Sequence, residues 1–392
     1  MASYLGRNWK KEELLSIIGD PSQVAGATPF MLADGKAEGV KGVRVDTGGG
    51  LSFTVLPGRG MDIAEASFRG RALSFLSGTG ITSPAYYDEP GDSWLRGFFA
   101  GFLTTCGITN SGHPTVDQGR PYGLHGRVSN AGAEDLAIDQ EWQGEEYLIR
   151  VKGRVREVQA LAGENMTLTR RVETRLGAKG FSLHDVVENR GFAEQPLMLL
   201  YHCNFGFPLL GPRARVVGPI RGVVPRDEQA RSERGVEEAL LFAAPIPDYR
   251  EKVFFLELAA DRQDRTFVGL LNPDVGDGTP LGILMRFNRR ELPAFTVWKN
   301  PMRGFYVLGL EPGNVTPVGR GVLRERGELP MLAGQSSYSL KIDFQVLDTA
   351  EELQSLEKED SRPEAASLKG LDASALSVPE TADLWILSPQ EN

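Results

Sequence analysis

Met166-Thr-Leu-Thr-Arg-Arg-Val-Glu-Thr-Arg-Leu176 alternates: Met166, Leu168, Val172 and Leu176 are apolar, and Thr167, Thr169, Arg171, Glu173 and Arg175 are polar. A period of two marks a strand with one face on a core and the other in water. Arg170 and Thr174 interrupt the apolar face. The alternation returns at the other end of the chain, where Tyr338, Leu340, Ile342, Phe344 and Val346 face one way and Ser337, Ser339, Lys341, Asp343 and Gln345 the other. Between these two segments and before them, strands are expected at 51–56, 147–155, 181–187, 197–205, 253–258, 281–287 and 305–310. Turn signals such as Asp46-Thr-Gly-Gly-Gly50 and Glu188-Asn-Arg-Gly191 separate them, in a chain of 392 residues with 46 glycines and 24 prolines. Strands that follow one another without helical patterns form antiparallel sheets packed face to face. The expected fold is all-β, one large antiparallel β-sandwich over residues 20–348.

Two flanking segments differ. Residues 1–19 are expected to hold a short helix, capped by Asn8 and ended by Gly19. Residues 349–392 read as a charged C-terminal extension: Glu357-Lys-Glu-Asp360 and Ser/Ala/Pro-rich text bury too little apolar surface to offset ordering entropy. The Trp385-Ile-Leu387 cluster is its apolar exception.

Composition excludes several classes. Hydrophobic residues make up 41% and charged residues 24%, the balance of a globular protein. With 43 Lys plus Arg against 52 Asp plus Glu, the net charge is −9, and no basic stripe interleaved with aromatics is present. Nucleic acid is not an expected partner. No apolar run approaches the roughly 20 residues that span a bilayer, and Met1 to Lys11 lacks a signal-peptide core. Cys106 and Cys203 are too few for a disulfide framework and too far apart for a CxxC pair. These features lead to the expectation of a cytoplasmic protein with reduced thiols and no membrane association. A homo-oligomer is compatible with them. Neither a phosphate-cradling glycine loop nor a GxSxG elbow occurs.

Histidine is scarce, with four in the chain. His125 lies in Gly123-Leu-His-Gly-Arg127, a turn whose glycines permit close backbone approach. The alternative is a loop histidine beside a surface arginine. His202 lies in Leu199-Leu-Tyr-His-Cys-Asn-Phe-Gly-Phe207, where a period of two puts His202 and Asn204 on one face and Tyr201, Cys203 and Phe205 on the other. A half-buried imidazole there can have its pKa tuned for proton donation; a core histidine satisfied by carbonyls is the alternative. Glu311 ends the apolar run Tyr306-Val-Leu-Gly-Leu310 at a Pro-Gly turn, where a strand end aims a carboxylate across a sheet rim. Burial there would raise its pKa, and a nearby imidazolium would lower it. A surface ion pair is the alternative reading of Glu311.

These three segments, in this order, resemble the aldose 1-epimerases of the galactose mutarotase-like superfamily. Leu124-His125-Gly126 looks like that family's histidine-glycine turn, Tyr201-His-Cys-Asn-Phe205 like its acid-bearing strand, and Leu308-Gly-Leu-Glu311 like the strand ending in its base. Gly58-Arg-Gly-Met-Asp-Ile63, Tyr122 to Asn130, Leu200 to Leu210 and Gly309 to Asn314 are similar to a poorly characterised bacterial branch of the superfamily. The resemblance implies a supersandwich fold and interconversion of sugar anomers by ring opening and closure. His202 would be the general acid, Glu311 the general base, and His125 a group that holds the sugar. No cofactor and no metal is implied, and the partner is a small-molecule sugar.

Arg59, Arg127, Asn204 and Trp298 are the candidates for substrate contact, because guanidinium and amide groups bond hydroxyls and an indole stacks on a sugar face. For Trp298, core packing is the alternative. The family's Asn-Arg pair upstream of the histidine turn is replaced by Thr109-Asn110. For its hydroxyl-gripping aspartate this chain offers Asp227. Arg59 and Arg127 point to an anionic sugar, since the guanidinium fork suits carboxylate and phosphate. Two other readings compete. One is a metal-dependent sugar isomerase or lyase ligated by His125, His202 and Glu311. The other is a carbohydrate-binding protein without turnover.

Overall fold

The computed structural model describes residues 2–360 apart from Ala162 and Glu233. The alternating segment forms the strand Asn165–Arg175. It is third in an eight-stranded sheet ordered 134–143, 146–158, 165–175, 180–189, 337–347, 281–288, 265–272 and 215–217. A six-stranded sheet runs 220–225, 252–258, 294–302, 305–313, 198–205 and 104–108, and a five-stranded sheet joins 26–31, 41–46, 51–56, 62–68 and 71–72. All strand pairs within these sheets are antiparallel. Val172, Leu183, Ile342 and Phe344 from the large sheet share one buried cluster with Tyr201, Phe205, Val297 and Leu310 from the six-stranded one. Apolar faces opposed in this way make a sandwich.

The two residues that break the apolar stripe of the 165–175 strand still point inward. Thr174 returns its hydroxyl to Gly180 O at 2.7 Å. Arg170 is fully buried. Its Nε and Nη2 donate to the two oxygens of Asp185, at 2.9 and 2.6 Å, and its Nη1 donates to Thr105 Oγ1 at 2.8 Å and Met61 O at 3.3 Å. Tyr201 Oη donates to Asp185 Oδ2 at 2.6 Å, and Asp62, 3.7 Å from Arg170, accepts from Thr105 N. Burial alone would strip the charge from Arg170, but Asp185 beside it holds the guanidinium above its usual pKa. One cation thus joins all three sheets.

Both ends differ from the expectation. The N-terminal helix is Lys11–Leu15, with Lys10 rather than Asn8 at its N-cap and Ser16 rather than Gly19 at its end. Arg7–Trp9 is instead a strand paired with Ala2–Tyr4 through Leu5 and Gly6, both at positive φ, which suits a two-residue hairpin turn. Trp9 Nε1 donates to Tyr4 O, and the Arg7 guanidinium lies 4.0 Å from the Trp9 ring centroid. These contacts take Asn8 away from helix capping. At the other end, Thr349 caps a helix, Ala350–Glu359, whose Leu353 and Leu356 pack on Val217, Leu271, Leu284 and Leu347. The first residues of the charged extension are therefore docked. Trp385-Ile-Leu387 lies outside the described residues. Among the described residues, no helix is long and apolar enough to cross a membrane.

Replacing Arg170 with Met leaves Asp185 and Asp62 buried without their cation and is expected to cost about 3–5 kcal/mol. Replacing its neighbour Arg171, which is 44% exposed, is expected to change stability by less than about 0.5 kcal/mol. Urea unfolding midpoints of the two variants check the contrast.

Candidate functional site

On the 198–205 strand, Tyr201 and the Arg170 clamp take one face, so the next residue, His202, faces the other way, out of the sandwich. The adjacent strand pairs Cys203 with Leu310 and Asn204 with Gly309, a register that brings His202 opposite Glu311. Thr296 pairs with Glu311 on its other side, Phe255 with Thr296, and Thr104 with His202. Phe255, Thr296, Glu311, His202 and Thr104 thus form one rung across five strands. The strand bearing Glu311 runs Phe305–Gly313, three residues beyond the expected limit. Glu311 therefore sits mid-ladder on the floor of the sheet, not at its rim. Pro312 is tolerated because the register sets it opposite Tyr201 where the ladder pauses, and its nitrogen has no hydrogen to donate.

His202 Nε2 lies 3.2 Å from Glu311 Oε1. The two residues are 5% and 3% exposed and form the floor of a cleft. Its walls carry Trp94, Phe98, His113, His125, Arg226, Glu251 and Trp298, and it encloses a cavity of about 140 Å³. His202 Nδ1 and Thr296 Oγ1 are buried without a hydrogen-bond partner. Buried polar atoms in folded proteins are nearly always bonded, so unpaired ones at a cleft floor mark a place built for a polar guest.

Burial governs the charge here. It lowers the His202 pKa to about 4, against a rise from Asn204, and raises the Glu311 carboxyl well above the usual carboxylate range, with Glu251 adding to the rise. Both shifts favour the neutral forms and place the transferable proton on Glu311 rather than on His202. Burial, then His202 and His113, depresses His125 in the same way. Gly112 N–H donates to His125 Nδ1 at 3.3 Å, which leaves the imidazole proton on Nε2. The glycines of this turn serve backbone packing: a Cβ at Gly126 would lie 2.3 Å from Gly107 O, and one at Gly123 would lie 2.0 Å from Glu89 O.

His125, His202, Glu311 and Trp298 are brought together as expected. Four other expected contacts are not. Arg59, 1% exposed, spends its guanidinium on Ser129 O, Thr82 O and Oγ1, and Gly97 O, a cage that ties three separate loops together. Arg127 pairs with Glu89 at 3.2 Å and lines a separate polar hollow with Arg120, Arg156 and Glu157. Asn204 is fully buried and donates to His202 O at 2.8 Å, supporting the strand from within. Asp227 caps the Glu228–Arg231 helix and pairs with Arg226 Nε at 2.7 Å. The ground for an anionic sugar is removed with Arg59 and Arg127. Among the described residues, no three His, Cys, Asp or Glu side chains are grouped to hold a metal ion, so the proposed three-ligand set is not formed.

Sequence reasoning missed Trp94, Phe98, His113, Arg226, Glu251 and Thr296. Glu251 Oε2 accepts from Trp298 Nε1 at 2.6 Å and its Oε1 lies 3.3 Å from Arg226 Nη2, which fixes both side chains at the cleft wall. Nothing local in Asp248-Tyr-Arg-Glu251 signals this role. Pro225-Arg-Asp-Glu228 held a usable signal, but the residue of it that lines the cleft is the arginine beside the aspartate.

Residues 37–346 match a family described as a domain of unknown function (DUF4432). No curated protein matches the chain. Among solved structures, a provisionally named aldose 1-epimerase from Klebsiella pneumoniae is 28% identical, with a TM-score of 0.78 over 87% of each chain. A galactose mutarotase-like protein from Clostridium acetobutylicum is 14% identical, with a TM-score of 0.58 over 83% of this chain and 100% of its own. Galactose 1-epimerase from Lactobacillus acidophilus is 12% identical, with a TM-score of 0.54 over 83% of this chain and 99% of its own. The sandwich is the galactose mutarotase-like fold.

The geometry separates two arginines. Arg127→Ala is expected to leave ligand affinity at the cleft unchanged, whereas Arg226→Ala, which frees Glu251 and opens the wall, is expected to weaken it several-fold. Calorimetric titration of each variant with the same ligand checks this.

Proposed function

Because the chain belongs to the DUF4432 family and has the galactose mutarotase-like fold, we propose that it is an aldose 1-epimerase-type enzyme acting on a neutral sugar. The observation that carries this reading is the His202–Glu311 pair, 3.2 Å apart on one rung at the floor of a cleft and left with unpaired polar atoms.

A cyclic hemiacetal opens when a base takes the anomeric hydroxyl proton while an acid protonates the ring oxygen, two oxygens on one carbon. Side chains from adjacent strands can reach both. His202 serves as the acid and Glu311 as the base. With the proton on Glu311, moving it to His202 gives the working ion pair without changing the total proton count. As the ring opens, Glu311 gains the hydroxyl proton and His202 gives its own to the ring oxygen. Rotation about the bond beside the aldehyde exposes its other face, and closure with the proton transfers reversed yields the other anomer. His125 Nε2–H holds a hydroxyl or the ring oxygen, and the Trp298 indole covers a sugar face. Glu251 and Arg226 bond outer hydroxyls. The cations near the cleft are spoken for: Arg226 is paired with Asp227 and Glu251, and burial keeps His113, His125 and His202 neutral. That favours a neutral aldose over a uronate or phosphate.

The aromatic wall of Trp94, Phe98 and Trp298 also suits a sugar-binding protein without turnover. Exchange NMR on anomerically pure aldoses distinguishes the two. The enzyme reading expects exchange above the buffer rate, with His202→Asn and Glu311→Gln each slowing it by about 10²–10⁴-fold. Binding by the wild type with exchange at the buffer rate would support the second reading instead. The pH profile is expected to be a plateau bounded below by His202 and above by Glu311. Below about pH 4 His202 takes up a second proton and no base remains, and above the raised pKa of Glu311 the pair loses its one transferable proton and no acid remains.

A further inference from the structure

Gly309 precedes Glu311 by two residues on the Phe305–Gly313 strand, so the two share the face turned to the cleft. It pairs with Trp298 on one side and Asn204 on the other. Its φ lies outside the left-handed region, so backbone conformation does not call for glycine here. The surrounding space does. A Cβ at 309 would lie 2.3 Å from Glu311 Oε1, 3.0 Å from Trp298 Cβ and 3.2 Å from Trp298 Cε3. The volume a side chain would fill is shared by the Glu311 carboxyl, folded back along its own strand, and the flank of the Trp298 indole.

The neighbouring glycines behave differently. A Cβ at Gly107 would meet Met198 O at 2.0 Å, and one at Gly313 would meet Leu199 O at 2.8 Å. Those positions admit close backbone packing. At Gly309 the 2.3 Å contact is with the mobile end of a side chain, which can move without disturbing a strand. Trp298 has less freedom, because its Nε1 is bonded to Glu251 at 2.6 Å. A methyl group at 309 would therefore push the carboxyl aside and leave the ladder standing.

We infer that Gly309 is a positioning residue: its missing side chain sets where the Glu311 carboxyl rests, and so fixes the 3.2 Å separation from His202. The catalytic consequence rests on the acid–base reading of that pair, whereas the placement itself is a matter of packing. The test is Gly309→Ala beside Gly132→Ala, a position with nothing within 4 Å of an added Cβ. Each is read by melting temperature, by kcat and KM of anomer exchange, and by the imidazole ¹⁵N shifts of His202.

Gly309→Ala is expected to melt near the wild type, to lose about 10²-fold in kcat with KM nearly unchanged, and to displace the His202 nitrogen shifts. Gly132→Ala should change none of these. Wild-type kcat and unmoved His202 shifts in folded Gly309→Ala would overturn the inference. Should Gly309→Ala prove too unstable to assay, adding it to Glu311→Ala removes the atom it collides with. A destabilisation that shrinks in that background supports the inference, and an equal one overturns it. If the wild type exchanges no sugar, the acid–base reading fails, and the His202 shifts still decide the role of Gly309.

Discussion

The buried Arg170–Asp185 pair, with Tyr201 bonded to the same carboxylate, is the constraint on which the cleft depends. A charge in a sandwich interior carries a heavy desolvation cost unless its bonds are met, and here they are met by groups from all three sheets. Such a centre tolerates one arrangement of its partners, so it fixes register and rotation as well as proximity. Tyr201 is held inward by Asp185. The alternation of a strand then turns His202 outward, and the adjacent ladder sets Glu311 beside it. The chemistry on one face of the six-stranded sheet is thus aligned by an ion pair on the other.

The cleft uses low polarity where the core uses charge. Apolar side chains such as Trp94, Phe98, Val253, Phe255 and Trp298 surround its polar floor, and burial among them pushes the carboxyl of Glu311 up and the imidazole of His202 down. A pair that carries a single transferable proton can act in both halves of a reaction whose forward and reverse steps are chemically alike. Arg226 fits the same logic, since both of its carboxylate partners lie in or beside the wall and no excess positive charge faces the guest.

Polar side chains in apolar surroundings proved the hardest to read along the chain. Arg170 breaks an otherwise regular stripe, and by pattern alone it is a flaw in a strand; it is the centre of the core. Arg59 and Arg127 look alike in sequence, each beside a glycine in a turn, yet one is caged by carbonyls and the other pairs at the surface. Asp227 and Arg226 are adjacent, and it is the arginine that reaches the cleft. In each case the deciding partners come from distant positions in the chain, such as Ser129 and Thr82 for Arg59, and local pattern carries no information about them.

Period-two alternation and dense turn signals were enough to lead to an all-β antiparallel sandwich, and the order of three short motifs picked out His125, His202 and Glu311, which the fold brings to one cleft. Those properties are local: side-chain alternation is a backbone fact, and motif residues sit within a few positions of one another. The placement of Glu311 mid-ladder, the wall of Trp94, Phe98, Arg226 and Glu251, and the room left by Gly309 arise from strand register across the sheet. Register is settled by which residues can share a buried core and a common set of hydrogen bonds, and that is a property of the folded whole.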